Sequence, residues 1–524
     1  MPESRAGAWL QVLASLLWVP QAALIAALVA GIAGAGGPLF WFAAGIAAIG
    51  ALRAGAEALG QRMVFRAARA GLTAQRRRAV GSLAARSPLD TGRPASGAAA
   101  AALAEQAEAV LPYLSRYRPA RLRSTVVPCV LLLVVLTQSW LAALVLLVAA
   151  PLIPLFMALV GLRAKEASEA QMLEIGGMNA LLLDRLRGLA TIRAFDAVDA
   201  TARRLRAAAE SLRARSMAVL RIAFLSSAVL ELFASLGVAM VAVYVGFHLL
   251  GTLEFGAWGG RMGLGPALFV LLLAPAFFEP LRDLAAAWHD RAAGEAALAS
   301  LDALAAPPAL ALPEARAAVE AEGTAPGVSV RGLAFRHAGA AGPVLDGFEL
   351  DIAPGEHVAL LGASGAGKST LLALLAGLAA PQGGRIAIGP RGLEPAALRG
   401  RIAWLGQQPE LFAGSLRANL LLGRPGLDPE PWRRALLPDL PPDRPIGEDG
   451  AGLSGGEALR LGLARAVLPP GAGLILADEP TAHLDAATAR EVTTALLLAA
   501  RGRTLLLATH DPVLAARMDR VVRL

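Results

Sequence analysis

The chain has 524 residues, and at roughly 100 to 200 residues per domain that length implies more than one folding unit. Hydrophobic residues make up 56% and charged residues 17%, against about 45–50% and about 25% in soluble proteins, which excludes intrinsic disorder and disfavours a wholly soluble enzyme. The net charge of +8 is almost entirely arginine, since Lys165 and Lys368 are the only lysines, and it lies beside long apolar runs, where a lipid bilayer and not nucleic acid is the expected partner.

No charged residue occurs between Arg5 and Arg53. At 1.5 Å per residue that gap is about 70 Å of helix, enough for two bilayer crossings and too long for a cleavable signal peptide. The break belongs at Gly34, Gly36, Gly37 and Pro38, where glycine permits a tight turn and proline stops a helix. The uncharged stretch 124–162 divides in the same way at Thr137, Gln138 and Ser139, giving spans three and four. It contains Cys129, the single cysteine, which leaves no internal disulfide framework and no cysteine-based zinc site. Spans five and six are read at 222–250 and 262–278, parted by the glycine-rich segment 251–261. Six spans are expected.

Short loops that carry arginine stay on the cytoplasmic side. The turns after spans one and three carry no charge and that after span five only Glu254 and Arg261, whereas segments 53–123 and 163–221 are rich in arginine. Both ends of the chain are therefore expected in the cytoplasm. The two basic segments read as helix, either extending the spans into the cytosol or lying amphipathically on the lipid surface. Their breaks, at 87–96 and 188–199, are where a soluble domain would dock. After residue 304 the composition turns to proline and alanine, a linker over 305–327, and from Val328 short β-rich runs alternate with helical patterns. The expected plan is multidomain: an all-α six-helix transmembrane domain over 1–304, the linker, and an α/β P-loop nucleotide-binding domain over 328–524.

The strand-like run 357–361 leads into GASGAGKS at 362–369, the pattern G-x-x-x-x-G-K-[ST], and then into a helical run at 370–378. Glycines let backbone N–H groups converge on phosphates, Lys368 would reach the β/γ oxygens, and Ser369 would ligate Mg²⁺. Downstream, LILADE at 474–479 is an apolar strand ending in two carboxylates. Asp478 would hold Mg²⁺ through water, and Glu479, pointing the other way by strand alternation, would polarise the attacking water. His510 follows another apolar strand, 504–508. LSGGE at 453–457 precedes a helix expected at 458–468, and its Ser454 with free backbone amides makes a second anion site.

These motifs, in this order, resemble the ATP-binding cassette (ABC) transporter family along the whole chain. The resemblance implies ATP binding by Gly362, Ser364, Gly365, Gly367, Lys368, Ser369 and Thr370, with Gln407 as the Q-loop glutamine and Mg²⁺ held by Ser369, Gln407 and Asp478. It makes Glu479 the catalytic glutamate, His510 the switch histidine and Asp485 the D-loop aspartate, and it puts Glu448 in the coupling position of an X-loop. Ser454, Gly455 and Gly456 would form the signature that closes over the ATP of a second half-transporter. Two positions depart from the family pattern: Glu457 stands where many members have Gln, and His337 stands where an adenine-stacking aromatic is expected.

Residues 221–250 and 269–293 further resemble the CydD branch of the bacterial CydDC thiol-reductant exporters. That resemblance implies ATP-driven export of cysteine or glutathione to the periplasm in support of cytochrome bd assembly, as a heterodimer with a CydC-like chain in the inner membrane. Haem has also been considered as cargo for this branch, and a nucleotide-gated regulatory subunit is the alternative role. Counting along spans five and six puts Glu231, Glu279, Arg282 and Asp283 near one leaflet boundary, where charge needs a partner or a function. The expectation is a polar mouth in which Arg282 meets a cargo carboxylate or pairs with Glu231. His248 and His289, near opposite ends of their spans, are poorly placed to ligate haem at mid-bilayer.

Overall fold

The computed structural model describes residues 2–33, 39–152, 178, 181–182, 185, 188–258, 260–314, 325–482 and 484–524. Two units divide them: Met1–Ala79 with Ser96–Ala303, and Val80–Ala95 with Leu304–Leu524.

Long runs of Ala and Leu with few breakers make the first unit helical. Helices α1 (Pro2–Leu16) and α2 (Trp18–Ala33) are followed by α3 (Leu39–Ala84), and the glycine-proline break expected at 34–38 lies outside the described residues. In α3 the apolar start and the arginine-rich remainder form one helix of 46 residues. Next come α4 (Ser96–Ala104), α5 (Arg118–Gln138), α6 (Trp140–Ala149), the 53-residue α7 (Val198–Leu250), α8 (Leu264–Ala286) and α9 (Trp288–Leu304). Among the described residues five stretches are long and apolar enough to cross a membrane: Glu3–Ala33, Leu39–Ala84, Ser96–Gln138, Glu231–Leu250 and Leu264–Ala286. Of the fourth expected span, α6 supplies ten residues, and 153–177 lie outside the described residues.

The division of spans three and four falls at Ser139. It leaves helical geometry (φ −153°, ψ 120°) and its side chain accepts from the Ala142 N–H, capping α6. The same buried hydroxyl donates to the Gly256 carbonyl at 2.7 Å and lies 3.0 Å from the Tyr244 hydroxyl. Deeper in the unit, Phe277 and Phe278 of α8 are buried with Leu131 and Val135 of α5 and Leu146 of α6. A Cβ at Gly237 would stand 2.5 Å from the Phe278 ring, so only glycine lets α7 close on α8 there.

Among the described residues the second unit holds ten strands: β1 (Val328–Phe335), β2 (Leu345–Ile352), β3 (His357–Leu361), β4 (Gly383–Ile388), β5 (Ile402–Leu405), β6 (Gly414–Ser415), β7 (Pro445–Ile446), β8 (Leu474–Asp478), β9 (Thr504–Thr509) and β10 (Arg520–Arg523). Five make a parallel sheet in the order β10-β3-β9-β8-β5, with β8 and β9 buried along their whole lengths. A separate antiparallel sheet, β2-β1-β4, is absent from the sequence reading. Helix α10 (Lys368–Leu375) follows β3, and α11 (Gly455–Val467) packs on α12 (Ala486–Ala500).

Residues 80–95 belong to this unit. Ser87 is fully buried, its hydroxyl donating to the Leu378 carbonyl at 2.6 Å and its N–H to the Leu310 carbonyl at 3.0 Å. The Leu312 N–H donates to the Ala85 carbonyl at 2.7 Å, and Leu89 packs against the apolar core formed by β1, β3 and α10. Of the break read at 87–96, residues 87–95 are thus seated on the α/β unit, and part of the segment read as linker is tied to it.

Candidate nucleotide site

Strand β3 is paired with β9 and β10, so the loop 362–367 leaves the carboxyl edge of a parallel sheet. Gly365 and Gly367 take φ of 84° and 96°, which favour glycine, and a Cβ on Gly367 would meet Val344 Cγ1 at 2.8 Å. Helix α10 starts at Lys368 and turns the positive end of its dipole toward this loop. Lys368 is buried; its Nζ donates to the Gly362 and Ala363 carbonyls at 2.8 and 3.0 Å and lies 3.7 Å from Glu479 Oε1. Ser364 and Ser369 are exposed on the loop and first turn. Thr370 Oγ1 is 3.1 Å from His337 Nε2, and the His337 ring stands edge-on to Phe335.

Asp478 ends β8 and is buried. Burial pushes its carboxyl above the usual range, opposed by a hydrogen bond with Ser369. Its Oδ1 has no hydrogen-bond partner among the described residues. An orphaned carboxylate oxygen beside a serine hydroxyl is a hard-oxygen pair that suits Mg²⁺. Gln407 is exposed on the loop after β5.

Glu479 corrects the strand-alternation reading. The strand stops at Asp478, and Glu479 adopts φ of 45°, a left-handed conformation unusual for a non-glycine residue. Its N–H is fixed by the Ala508 carbonyl at 2.9 Å, and its Oε2 lies 3.3 Å from His510 Nδ1. A turn, and not the pleat, therefore aims this carboxylate at both Lys368 and His510.

A second cluster is built at the starts of α11 and α12. Ser454 caps α11: its hydroxyl accepts from the Glu457 N–H, and the Glu457 carboxylate accepts from the Ser454 N–H at 2.7 Å, holding that carboxyl below its usual range. The helix begins at Gly455, three residues earlier than expected, because of this cap. Asp485 caps α12 through the Ala487 and Thr488 N–H groups and the Thr488 hydroxyl, which holds its carboxyl low. Gly456 lies against that threonine: a Cβ there would come 2.4 Å from Thr488 Cγ2, whereas one on Gly455 would make an ordinary 3.4 Å contact with Leu484. Among the described residues no hydrogen bond or ion pair joins this cluster to the one around Lys368. Glu448 lies exposed in a short 3₁₀ turn, Glu448–Gly450.

In the helical unit, Arg282 pairs with Glu231 at 3.0 Å, while Asp283 lies 3.5 Å from Arg123. Adjacent helical residues point about 100° apart, so the four charges expected in one mouth are divided between two surroundings. His248 is buried, with Nε2 3.3 Å from the Gly260 carbonyl. Sequence reasoning missed Glu57 and Arg123, whose signal was opposite charge at the ends of apolar runs.

Comparison with known proteins agrees with this architecture. The ABC transporter transmembrane region matches residues 8–258, and the ABC transporter family matches residues 345–482. The chain is 39% identical over 433 residues to the glutathione/L-cysteine transport system ATP-binding/permease protein CydD of Escherichia coli, covering 80% of this chain and 73% of that protein. It is 31% identical to the similarly named CydC of Bacillus subtilis, over 78% and 72% of the two chains. A bacterial Atm1-family ABC exporter solved with ATP bound superposes with a TM-score of 0.73 at 21% identity, covering 99% of this chain and 93% of the other, which shows the fold. With a transmembrane region and an ATP-binding domain fused in that order, the chain belongs to the ABC transporter family, as an exporter-type half-transporter related to CydD.

Proposed function

We propose that this ATPase, coupled to transport, moves a small thiol, cysteine or glutathione, from the cytoplasm to the periplasm across the bacterial inner membrane, in support of cytochrome bd assembly. The observation that carries the reading is the identity of 39% over most of both chains to a protein named for glutathione and cysteine transport. The partner would be a second half-transporter of the CydC type; identity of 39% to a CydD against 31% to a CydC supports the CydD role for this chain.

That no hydrogen bond or ion pair joins the two clusters among the described residues supports a paired arrangement. ATP would rest on the loop 362–367, its β/γ oxygens on Lys368 and Thr370, with His337 against adenine. Ser454, Gly455 and Gly456 of this chain would close on the γ-phosphate of the ATP held by the partner subunit, whose own signature would close on this one. Mg²⁺ would be held by Ser369, Gln407 and Asp478, and when bound it neutralises phosphate charge. Glu479 orients the attacking water by accepting its hydrogen bond, and His510 steadies that carboxylate. Asp485 acts as a positioning residue by holding the start of α12 beside Gly456. Residues 87–95, seated on the ATP-binding unit, and 188–199 would pass closure to the spans, with both termini cytoplasmic.

ATPase turnover of the purified complex in lipid, measured with cysteine, glutathione and haem side by side, tests the cargo. Severalfold stimulation by the thiols is expected. Stimulation by haem alone would overturn the reading.

A further inference from the structure

The helical unit contains two cavities of about 550 and 460 Å³ that share three walls, Glu57 of α3, Arg123 of α5 and Asp283 of α8. Because they share these residues they adjoin, and each volume lies in the range of small-molecule sites, about 300–1,000 Å³. Across both, Arg53, Arg62 and Arg123 face Glu57, Glu279 and Asp283, while Arg116, also on the wall, pairs with Asp290 at 3.4 Å.

These charges are close to one another without satisfying one another. Arg123 stands 3.9 Å from Glu57 and 3.5 Å from Asp283, longer than the roughly 2.7–2.9 Å of a charge-assisted hydrogen bond, and its buried Nε has no hydrogen-bond partner among the described residues. Arg53 presents its guanidinium face to the Trp18 ring, 5.1 Å away, and the Trp18 N–H is taken by the Leu272 carbonyl. Gln21 donates to the Ile46 carbonyl, but its buried Oε1 also has no hydrogen-bond partner among the described residues. The neighbouring Arg282–Glu231 pair behaves differently, closing two contacts of 3.0 and 3.1 Å, as a packing pair does. Glu57 also accepts from Gln61 at 3.1 Å, so what stays open in the cluster is the Arg123 Nε and the Gln21 Oε1, together with the long Arg123–Glu57 and Arg123–Asp283 separations.

We propose that this cavity binds the zwitterionic head of an amino acid or short peptide, the α-carboxylate on Arg123 and Arg53 and the α-ammonium on Glu57, Asp283 and the Gln21 oxygen. The cluster supplies both signs within one cavity, which a dianion without an ammonium would leave incomplete. Cysteine and glutathione each carry an α-ammonium beside an α-carboxylate, the pair of charges this lining would meet. The inference takes its cargo from the proposed thiol transport, yet the recognition it describes is of the head group and not of sulfur.

The test uses the full complex in lipid and measures half-maximal concentrations for stimulated ATPase. In the unaltered complex, cysteine, S-methylcysteine, N-acetylcysteine and cysteine methyl ester are compared. Blocking either the amine or the carboxylate is expected to raise the half-maximal concentration at least tenfold, and S-methylation to leave it nearly unchanged. Arg123→Gln and Asp283→Asn should raise it as much, with Arg282→Gln as the unaffected control; the analogue series holds even where a variant fails to fold. Equal response to all four analogues, with Arg123→Gln and Asp283→Asn saturating normally, would overturn the site while leaving thiol transport standing. Stimulation by non-thiol amino acids alone, lost in Arg123→Gln, would keep the site and overturn the thiol cargo. No response to any amino acid or peptide would overturn both.

Discussion

Asp478 and Glu479 are neighbours in sequence, but β8 buries the first and a left-handed turn exposes the second to Lys368 and His510. Because burial raises the Asp478 carboxyl, its protonated form persists above the ordinary carboxylate range. Mg²⁺ needs the carboxylate, so the apparent affinity for Mg²⁺ in ATPase assays should weaken as pH falls from neutral toward that raised value. Asp478→Asn should lose this pH dependence along with most of the affinity. Glu479→Gln should lower turnover by about 100-fold or more while nucleotide still binds, read by single-turnover hydrolysis against nucleotide binding. Glu457 illustrates how a family departure is absorbed: either Glu or Gln can accept from the Ser454 N–H. Glu457→Gln should therefore retain activity, whereas Glu457→Ala should lower the thermal stability of the domain by about 1 kcal/mol. The motif residues were legible because phosphate chemistry constrains residue type and spacing. The orientation of Glu479 was not, since it depends on a backbone dihedral that alternation cannot foresee.

Among the elements, the boundary at Ser139 was legible from Thr137, Gln138 and Ser139, because small polar residues between apolar runs cap a helix. Ser139 also ties α6 to Tyr244 and Gly256, so Ser139→Ala should cost about 1–2 kcal/mol, measured by thermal unfolding in detergent. Helix α8 shows the opposite case. The apolar span is read over 262–278, and the helix runs on to Ala286 with Pro275 and Pro280 inside. Packing against α5 and α7 outweighs the lost backbone hydrogen bonds. The β2-β1-β4 sheet escaped notice because its register shifts between Val330 and Leu333 and again before Phe335 interrupt the two-residue alternation.

At the scale of the whole molecule, the two-part organisation followed from composition, with an apolar arginine-flanked half and then a half of alternating strands and helices. The seating of residues 80–95 with the ATP-binding unit did not, since it joins positions more than two hundred residues apart, such as Ser87 and Leu378. The polar cavity was hidden for the same reason: Glu57, Arg123 and Asp283 meet only after three helices pack. The central claim, that ATP hydrolysis by the paired chains drives thiol movement, is tested most directly in sealed proteoliposomes carrying the complex with its ATP sites outward. Labelled cysteine or glutathione should accumulate inside only when ATP is supplied, and Glu479→Gln should abolish the accumulation. Accumulation without ATP, or undiminished in Glu479→Gln, would contradict the account.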